Sequence, residues 1–231
     1  MKKVIILLVI VAVIVVAVAG VKNFLKPKTV SVNYSQKDYD GLTQKLGYTA
    51  KIVDIEGEIQ PANSIANSGV KEVDSDITNV EATAAMNHWA DSWKYAPLTN
   101  SSVKINSDDS FEYSGTFSVT RALGYASATG VPQSLVDTVS KYIKPFGGSF
   151  PVYLKGKVEI LNNSVNADLS SVRVSFLSIP SDTINKYAGE VNNFVSERLS
   201  PDSKYKIEQF KIKEGKFILK GKLPEKIEYY K

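Results

Sequence analysis

The sequence contains no cysteine and a single histidine, His88. Without cysteine the chain has no disulfide, no thiolate ligand for a metal and no cysteine nucleophile. One histidine also excludes a metal site built from several imidazoles. The formal net charge is +4 over 231 residues, which is too small to favour nucleic acid as a partner. We therefore expect no cofactor, no metal site and no nucleic-acid partner, and a domain held together by its hydrophobic core.

Patterns that would indicate catalysis are also scarce. His88, Asp91 and Ser92 fall on one predicted helix, where neighbouring side chains point in fixed directions that do not form a catalytic triad. Asp108 and Asp109 are adjacent in a predicted turn, where such residues are typical of turn chemistry rather than of paired catalytic carboxylates. The sequence has no glycine-rich phosphate loop after a strand and no calcium-loop pattern. We expect a non-catalytic protein with no catalytic residue.

The longest apolar run lies at the N-terminus, from Val4 to Val21. As a helix that rises about 1.5 Å per residue, it would be about 27 Å long, close to the hydrocarbon thickness of a bilayer. A removable signal peptide is the alternative, because Ala17-Val18-Ala19 fits a cleavage site. The run is longer than the usual apolar core of a signal peptide, about 7–15 residues, and this favours an uncleaved anchor.

The orientation of this anchor follows from length rather than from charge. Lysines flank the apolar run on both sides, so the positive-inside count is nearly tied. A tail of three residues is more easily retained inside the cell than the long C-terminal part. We predict a single-pass protein of the cell membrane whose C-terminal domain lies outside the cytoplasm, with a cleaved and secreted form as the alternative.

Composition and periodicity divide the chain into five segments. Residues 1–3 are the cytoplasmic tail, 4–21 the transmembrane anchor or uncleaved signal, and 22–29 a linker. Residues 30–77 form an N-terminal helix and strand extension, in which we predict a helix after Ser35 that stops at Gly47, a half-buried strand at 51–60 and a loop at 61–77. Residues 78–231 form an α+β helix–hairpin domain.

An order of amphipathic helix and β-hairpin occurs three times in this last segment. The predicted helices start near residues 78, 131 and 182, and the hairpin turns lie near 108, 162 and 214, a period of roughly 50 residues. Tight turns require antiparallel strands. The predicted fold is therefore α+β, with an N-terminal transmembrane helix and a long, twisted antiparallel sheet packed on amphipathic helices. Its elongated apolar interior is either filled core or a tunnel.

The C-terminal third carries a recognisable pattern. The run VRVSFLSIP, Val172 to Pro180, leads into a helix and then into the hairpin IEQFKIKEGKFILKGKL, Ile207 to Leu223. With the helix start at Ile77 to Glu81, this pattern resembles the LmeA-like and YpmS-like extracytoplasmic proteins of bacteria, which are related to the lipid-binding TULIP class. The resemblance covers about half of the soluble part and contains no catalytic signature, and residues 30–77 do not match it. It implies a curved sheet wrapped on a helix and an affinity for acyl chains.

Two sets of residues are candidates for a binding site. The first is an apolar wall formed by the third predicted helix and the facing strands, which is either an ordinary dry core or, as the resemblance favours, a surface for a lipid. Its residues are Val174, Phe176, Tyr187, Val191, Phe194, Val195, Phe210, Phe217 and Leu219. The second set lies on the last hairpin, where lysines either protect a sheet edge or attract anionic headgroups and wall polymers. Its residues are Lys211, Lys213, Lys216, Lys220 and Lys222.

An aromatic stripe on the first predicted helix also has two interpretations. Trp89 and Trp93, with Tyr95, are either core residues or an indole pair at a cavity mouth or membrane interface. The leading hypothesis is a membrane-anchored extracytoplasmic protein that binds a lipid or another long apolar ligand without catalysis. The alternative is a ligand-free envelope module, interacting or structural, that contacts wall polymer or a protein partner. The predicted partners are the membrane and, under the leading hypothesis, a lipid ligand, and the sequence identifies no protein partner.

Overall fold

The computed structural model describes residues 27–143, 148–199 and 204–231. The predicted tail and transmembrane segment, residues 1–21, lie outside the described residues. No helix within the described part is long and apolar enough to cross a membrane. The predicted α+β class is confirmed, because a large antiparallel sheet packs with helices.

The described residues form five helices and eleven strands, with a short 3-10 turn at Pro61–Asn63. The helices are α1 Gln36–Leu46, α2 Asn79–Ser92, α3 Val119–Ala128, α4 Gln133–Ile143 and α5 Ser181–Leu199. The strands are β1 Thr49–Val53, β2 Ile65–Ser68, β3 Lys71–Ile77, β4 Leu98–Ile105, β5 Phe111–Ser118, β6 Ser149–Leu161, β7 Ser164–Val174, β8 Leu177–Ser178, β9 Lys206–Lys213, β10 Lys216–Leu223 and β11 Lys226–Tyr230.

Local signals in the sequence fix the starts of the first two helices. The Asp38 carboxylate accepts a hydrogen bond from the Ser35 amide at 2.7 Å, and Gly47 ends α1 in a left-handed conformation with φ 67°. The Glu81 carboxylate accepts from the Thr78 amide at 2.8 Å, which completes a capping box at the start of α2. The predicted starts of these two helices are therefore confirmed.

Strand β6 is the centre of the main sheet, whose order is β3-β10-β9-β6-β5-β4. One edge of β6 pairs with β5 along residues 149–156 and with β9 along residues 159–161. The other edge pairs with β7, and β8 pairs with the end of β7. A second sheet has the order β1-β11-β2, with β1 and β11 parallel.

The N-terminal extension is part of the same fold. The prediction that residues 61–77 form a loop is wrong, because β2 and β3 lie there and β3 pairs with β10. The strand predicted at 51–60 is β1, which ends at Val53. Strand β5 ends at Ser118, which caps α3: the Ser118 hydroxyl accepts from the Arg121 amide. Strand β7 ends at Val174, and Phe176 lies between β7 and β8.

Each of the three long hairpins contains a register shift opposite a glycine, and these shifts bend the sheet. They lie opposite Gly115 in the first hairpin, Gly156 in the second and Gly221 in the third. A Cβ atom at Gly156 would collide with the carbonyl oxygen of Asp168, and one at Gly221 with that of Lys206. Glycine is required at these two positions because the opposing backbone occupies the space of a side chain.

Three core clusters hold the sheets and helices together, and the smallest surrounds Val119 at the start of α3. The largest one lies between α1, α2 and the main sheet, and its buried members are Leu42, Leu46, Val73, Ile77, Val103, Tyr113, Ile212, Phe217 and Leu219. The second one joins the second sheet to α2 through Trp93 and Tyr229. Trp93 is 2% exposed and its indole N–H donates to the Ser64 hydroxyl at 2.8 Å. For Trp93 the core interpretation is confirmed, whereas Trp89 is half-buried.

Candidate ligand cavity

Helix α2 covers one edge of the main sheet by hydrogen bonding to the backbone of β4. The side-chain amide of Asn87 donates to the Ser101 carbonyl at 2.8 Å, and its oxygen accepts from the Ser101 amide at 3.0 Å. One turn earlier, the Thr83 hydroxyl accepts from the Val103 amide at 3.0 Å. These side chains take the place of a neighbouring strand. The backbone amides and carbonyls of Ser101 and Val103 on the edge of β4 therefore have hydrogen-bond partners.

Helix α5 covers the edge of β7 in the same way. The Asn192 side chain accepts from the Ala167 amide at 3.2 Å and donates to the Ala167 carbonyl at 3.3 Å. One turn later, the Ser196 hydroxyl accepts from the Val165 amide at 2.8 Å. The four strands β4-β5-β6-β7 therefore form a trough with a helix on each edge.

An apolar cavity of about 640 Å³ lies in this trough, between α2, α5 and the sheet. This volume is within the range of about 300–1,000 Å³ that is usual for small-molecule sites. Its walls come from both helices, from β4 to β7 and from β10. The lining residues are Met86, Pro97, Leu98, Val103, Phe111, Tyr113, Phe117, Phe150, Val152, Leu154, Val158, Val172, Val174, Val191, Val195 and Phe217.

Tyr113 is the one lining residue whose side chain carries an oxygen or nitrogen atom. Its hydroxyl lies 3.1 Å from the Ser101 hydroxyl, so this polar group has a partner in the wall. Burial raises the pKa of Tyr113, which keeps the phenol neutral. The cavity therefore offers a hydrocarbon surface and no charge to whatever occupies it.

On β6 the lining of the cavity runs from Phe150 to Val158, about 26 Å of strand at about 3.3 Å per residue. The cavity also extends across the sheet, because β4, β5, β6 and β7 all contribute to its lining.

The structure places only part of the predicted apolar wall at this cavity. Val174, Val191, Val195 and Phe217 line it. Phe210 and Leu219 belong to the adjoining core, where the Phe210 ring stacks on Phe217 with centroids 5.1 Å apart. Among the described residues, the lining does not include three members of the predicted set, which are Phe176, Tyr187 and Phe194.

Most of the lining comes from strands that sequence reasoning had not assigned to the site. Phe111, Tyr113 and Phe117 on β5, with Val152, Leu154 and Val158 on β6, occupy alternate positions and so share one face of the sheet. That alternation is visible in the sequence. The positions of α2 and α5 decide which part of the face stays uncovered, and those positions depend on hydrogen bonds between residues distant in sequence.

The five lysines of the last hairpin lie on the opposite face of the sheet. Phe217 lines the cavity, and Lys216, Lys220 and Lys222 have the opposite alternation on β10. Lys211 and Lys213 alternate in the same way with Ile212, the cross-strand partner of Phe217. These lysines therefore do not surround the cavity.

Acidic residues of β3 face these lysines across the outer surface. Lys216 pairs with Asp76, Lys222 lies 3.5 Å from Glu72, and Lys220 is directly opposite Asp74. Lys213 lies 3.3 Å from its neighbour Glu214. Opposite charges on neighbouring strands stabilise the pairing of β3 with β10.

The start of the described chain also lies on this outer face. Lys28 donates to the Tyr153 hydroxyl at 2.6 Å, and that hydroxyl donates to the Glu112 carboxylate at 2.6 Å. The Val30 amide donates to the Ser114 hydroxyl at 2.9 Å. Tyr153 is 1% exposed although its side chain points away from the cavity. Residues 28–30, from the end of the predicted linker onward, are thus bound to β5 and β6.

His88 packs against the ring of Tyr39. Its ring stacks on Tyr39 with centroids 3.6 Å apart, and partial burial lowers the pKa of His88, so that the imidazole is neutral near pH 7. The described residues contain no group of three or more histidine, cysteine or acidic side chains placed to hold a metal ion.

No protein-family model matches this chain, and neither a curated protein nor a solved structure is similar enough to match it.

Proposed function

We propose that this protein is a membrane-anchored, extracytoplasmic protein that holds the hydrocarbon chain of a lipid, or another long apolar ligand, without catalysing a reaction. The cavity between α2, α5 and the sheet is the observation that carries the proposal. The cavity is partly open to solvent, so without a ligand its apolar lining would contact water. Removing apolar surface from water contributes about 25 cal/mol per Å², which favours an apolar occupant.

The chemistry of the wall supports binding rather than catalysis. Its one polar side chain, Tyr113, is neutral and hydrogen bonded within the wall. The lining contains no carboxylate, amine, imidazole or thiol that could act as acid, base or nucleophile. The resemblance of the C-terminal third to the LmeA-like and YpmS-like proteins leads to the same proposal.

The position of the N-terminal residues supports a site close to the membrane. The apolar run ends at Val21 and Lys28 is bound to the sheet. Seven Cα–Cα steps separate Val21 from Lys28, so the two can be at most about 25 Å apart. If residues 4–21 anchor the chain, the domain stays within that distance of a bilayer, where lipids are available.

A blocking substitution tests the proposal. Val195 lines the cavity from α5 and is 38% exposed, so a larger side chain fits there. In the 22–231 fragment, which keeps every described residue, Val195→Trp is expected to weaken binding of a fluorescent fatty acid by at least about tenfold, because the indole would occupy the channel. Asn193→Trp is the matched control, since Asn193 is exposed on the opposite side of α5.

The expected result is loss of binding in Val195→Trp with binding unchanged in Asn193→Trp. Equal affinities in the wild type and Val195→Trp would show that the probe binds elsewhere. Absence of binding to the wild type would contradict the proposal and favour the ligand-free interaction module.

A further inference from the structure

We infer that the tip of the β6–β7 hairpin, Leu161 to Ser164, contacts the bilayer in which this protein is anchored, and that the cavity exchanges its ligand with the bilayer beside this tip. The inference rests on the proposed function, which places the domain at a membrane. It adds the surface that docks and the partner of that surface, a lipid bilayer.

The hairpin tip presents an apolar side chain among uncharged groups. Leu161 is 54% exposed, more than any other large hydrophobic residue in the part of the chain that the structure describes. Single exposed apolar side chains are common, but this one has no charged partner beside it in the sheet. It is directly opposite Gln209 on β9 and Ser164 on β7, and the turn consists of Asn162 and Asn163. The tip can therefore enter the headgroup region of a bilayer without burying a charge.

The turn at the tip is fixed to strand β9. The Asn162 amide donates to the Glu208 carbonyl at 3.0 Å, and the Asn163 amide donates to the Ile207 carbonyl at 2.9 Å. The Asn163 side chain accepts from the Ile207 amide at 2.7 Å. Both asparagines have positive φ angles, 52° and 64°, as a two-residue hairpin turn requires. Leu161 is thus held in place before contact, so docking costs little conformational entropy.

The tip is on the same face of the sheet as the N-terminal segment. Leu161 and Tyr153 are an even number of residues apart on β6, so both side chains are on the outer face to which Lys28 is bound. The strand between Tyr153 and Leu161 is about 26 Å long at about 3.3 Å per residue. Because Val21 can lie up to about 25 Å from Lys28, the end of the apolar run can reach the tip. A short tether also gives a high effective concentration, so a small contact surface is sufficient.

The tip also adjoins the cavity. The Ser196 hydroxyl accepts from the Val165 amide at 2.8 Å, which places the neighbouring Val195 beside the start of β7. Val195 lines the cavity and is 38% exposed, whereas the other lining residues are buried or half-buried. A tip seated on the bilayer would bring this most exposed part of the lining close to the lipid. A hydrocarbon chain would then pass between bilayer and cavity with little exposure to water.

Fluorescence quenching can locate the tip relative to the bilayer. The chain contains no cysteine, so an introduced cysteine carries a fluorophore at a unique site. Ser164→Cys places it at the tip, and Ser149→Cys, also exposed, places it at the opposite end of the hairpin strands as the matched control. The full chain is reconstituted in phosphatidylcholine vesicles that contain phosphatidylcholine with a nitroxide on its acyl chain. We expect at least about twofold stronger quenching at position 164, because a docked tip lies about 5–10 Å deep in the interface.

Two substitutions test whether Leu161 makes the contact. With the fluorophore at position 164, Leu161→Glu should reduce the docked population, and with it the quenching, at least about fivefold, since a charge would have to enter the interface. Ile52→Glu is the matched control, because Ile52 is 46% exposed but lies in the second sheet. Neither residue lines the cavity, so the 22–231 fragment with either substitution should bind a fluorescent fatty acid as the wild type does.

The outcomes separate docking from ligand binding. Stronger quenching at position 164 than at 149, lost in Leu161→Glu and kept in Ile52→Glu, supports the inference. Equal quenching at the two positions, no effect of Leu161→Glu, or an equal loss in Ile52→Glu overturns it, and the proposed function stands if the wild-type fragment binds the fatty acid. If that fragment binds no fatty acid, the proposed function fails, and with it the exchange of a ligand beside the tip.

Discussion

Asn192 binds both backbone groups of Ala167, accepting from its amide at 3.2 Å and donating to its carbonyl at 3.3 Å. Asn87 binds Ser101 with the same pair of contacts at the other edge of the four strands. In each case the asparagine imitates the hydrogen-bonding pattern of a neighbouring strand. The helices are thereby fixed at the edges of the trough rather than over its middle, and the space between them stays open.

Removing these asparagines should destabilise the domain. Asn87→Ala leaves the Ser101 backbone groups without partners in a buried site, and we expect the free energy of unfolding to fall by about 2–4 kcal/mol. Asn192 is only half-buried, so Asn192→Ala should cost about 1–2 kcal/mol. Urea unfolding of the 22–231 fragment measures the free energy of unfolding of both variants. The exposed Asn193→Ala should change stability by less than about 0.5 kcal/mol, and equal losses at positions 87 and 193 would contradict the assigned role.

The contact between Trp93 and Ser64 gives a second prediction. Both residues are buried, and Ser64→Ala removes the acceptor of the indole N–H. We expect a loss of about 1–3 kcal/mol in the free energy of unfolding, because a buried donor is left unpaired. Ser68→Ala, at an exposed position four residues later, serves as the control. A loss no greater than in this control would show that water replaces the hydroxyl.

The pH dependence of stability should report the ion pairs between α1, β3 and β10. A hydrogen bond from Lys216, helped by Lys45, holds the pKa of Asp76 below its ordinary value. A lowered folded-state pKa means that Asp76 stabilises the fold above the unfolded pKa of about 4, and that this stability is lost as pH falls through the lower folded value. Urea unfolding from about pH 6 to about pH 3 should therefore show falling stability.

Asp76→Asn should make this acid-side decline shallower, because the residue no longer exchanges a proton. Asp168→Asn is the control, because Asp168 is exposed on β7 and has no ion pair among the described residues. An unchanged slope in Asp76→Asn would assign the acid sensitivity to other carboxylates. Among these is Glu112, where a hydrogen bond from Tyr153 lowers the pKa.

The attachment of the N-terminal segment can be tested by proteolysis. Tyr153→Phe removes the hydroxyl that accepts from Lys28 and donates to Glu112. With that link lost, trypsin should cleave after Lys28 about five to ten times faster, since release of the segment becomes easier by about 1–1.4 kcal/mol. Tyr230→Phe removes a similar bond to a carboxylate in the second sheet and should leave the rate unchanged. Equal rates in both variants would mean that the segment is held by other contacts.

Short-range signals in the sequence predict several helix starts and turns of the fold. The capping pairs Ser35–Asp38 and Thr78–Glu81 mark helix starts, and the turn at Glu214-Gly215 has the positive φ angles that a tight hairpin requires. These signals act within a few residues, so the sequence alone suffices for them. Two strands, β2 and β3, lie in the segment predicted as a loop, and β3 is rich in Asp and Ser and so resembles a loop. As a strand it buries Val73 and Ile77 in the core, and its acidic residues face lysines of β10 about 140 positions later in the chain.

The sequence predicts an elongated apolar interior, but it does not predict which residues line the cavity. The wall residues on α5, Val191 and Val195, follow from the helical stripe. The neighbouring Asn192 would be assigned to solvent by the same stripe, yet it binds the edge of β7 and so sets where α5 lies. The headgroup role predicted for the last hairpin depended on lysines whose register places them on the outer face.

The most direct test of the account is the mass of the 22–231 fragment as purified from cells. Native mass spectrometry should show the polypeptide with one additional lipid, which disappears after organic extraction and is missing from Val195→Trp. A mass equal to that of the bare polypeptide before extraction, and unchanged after it, would contradict the view that the space between α2, α5 and the sheet holds a hydrocarbon chain.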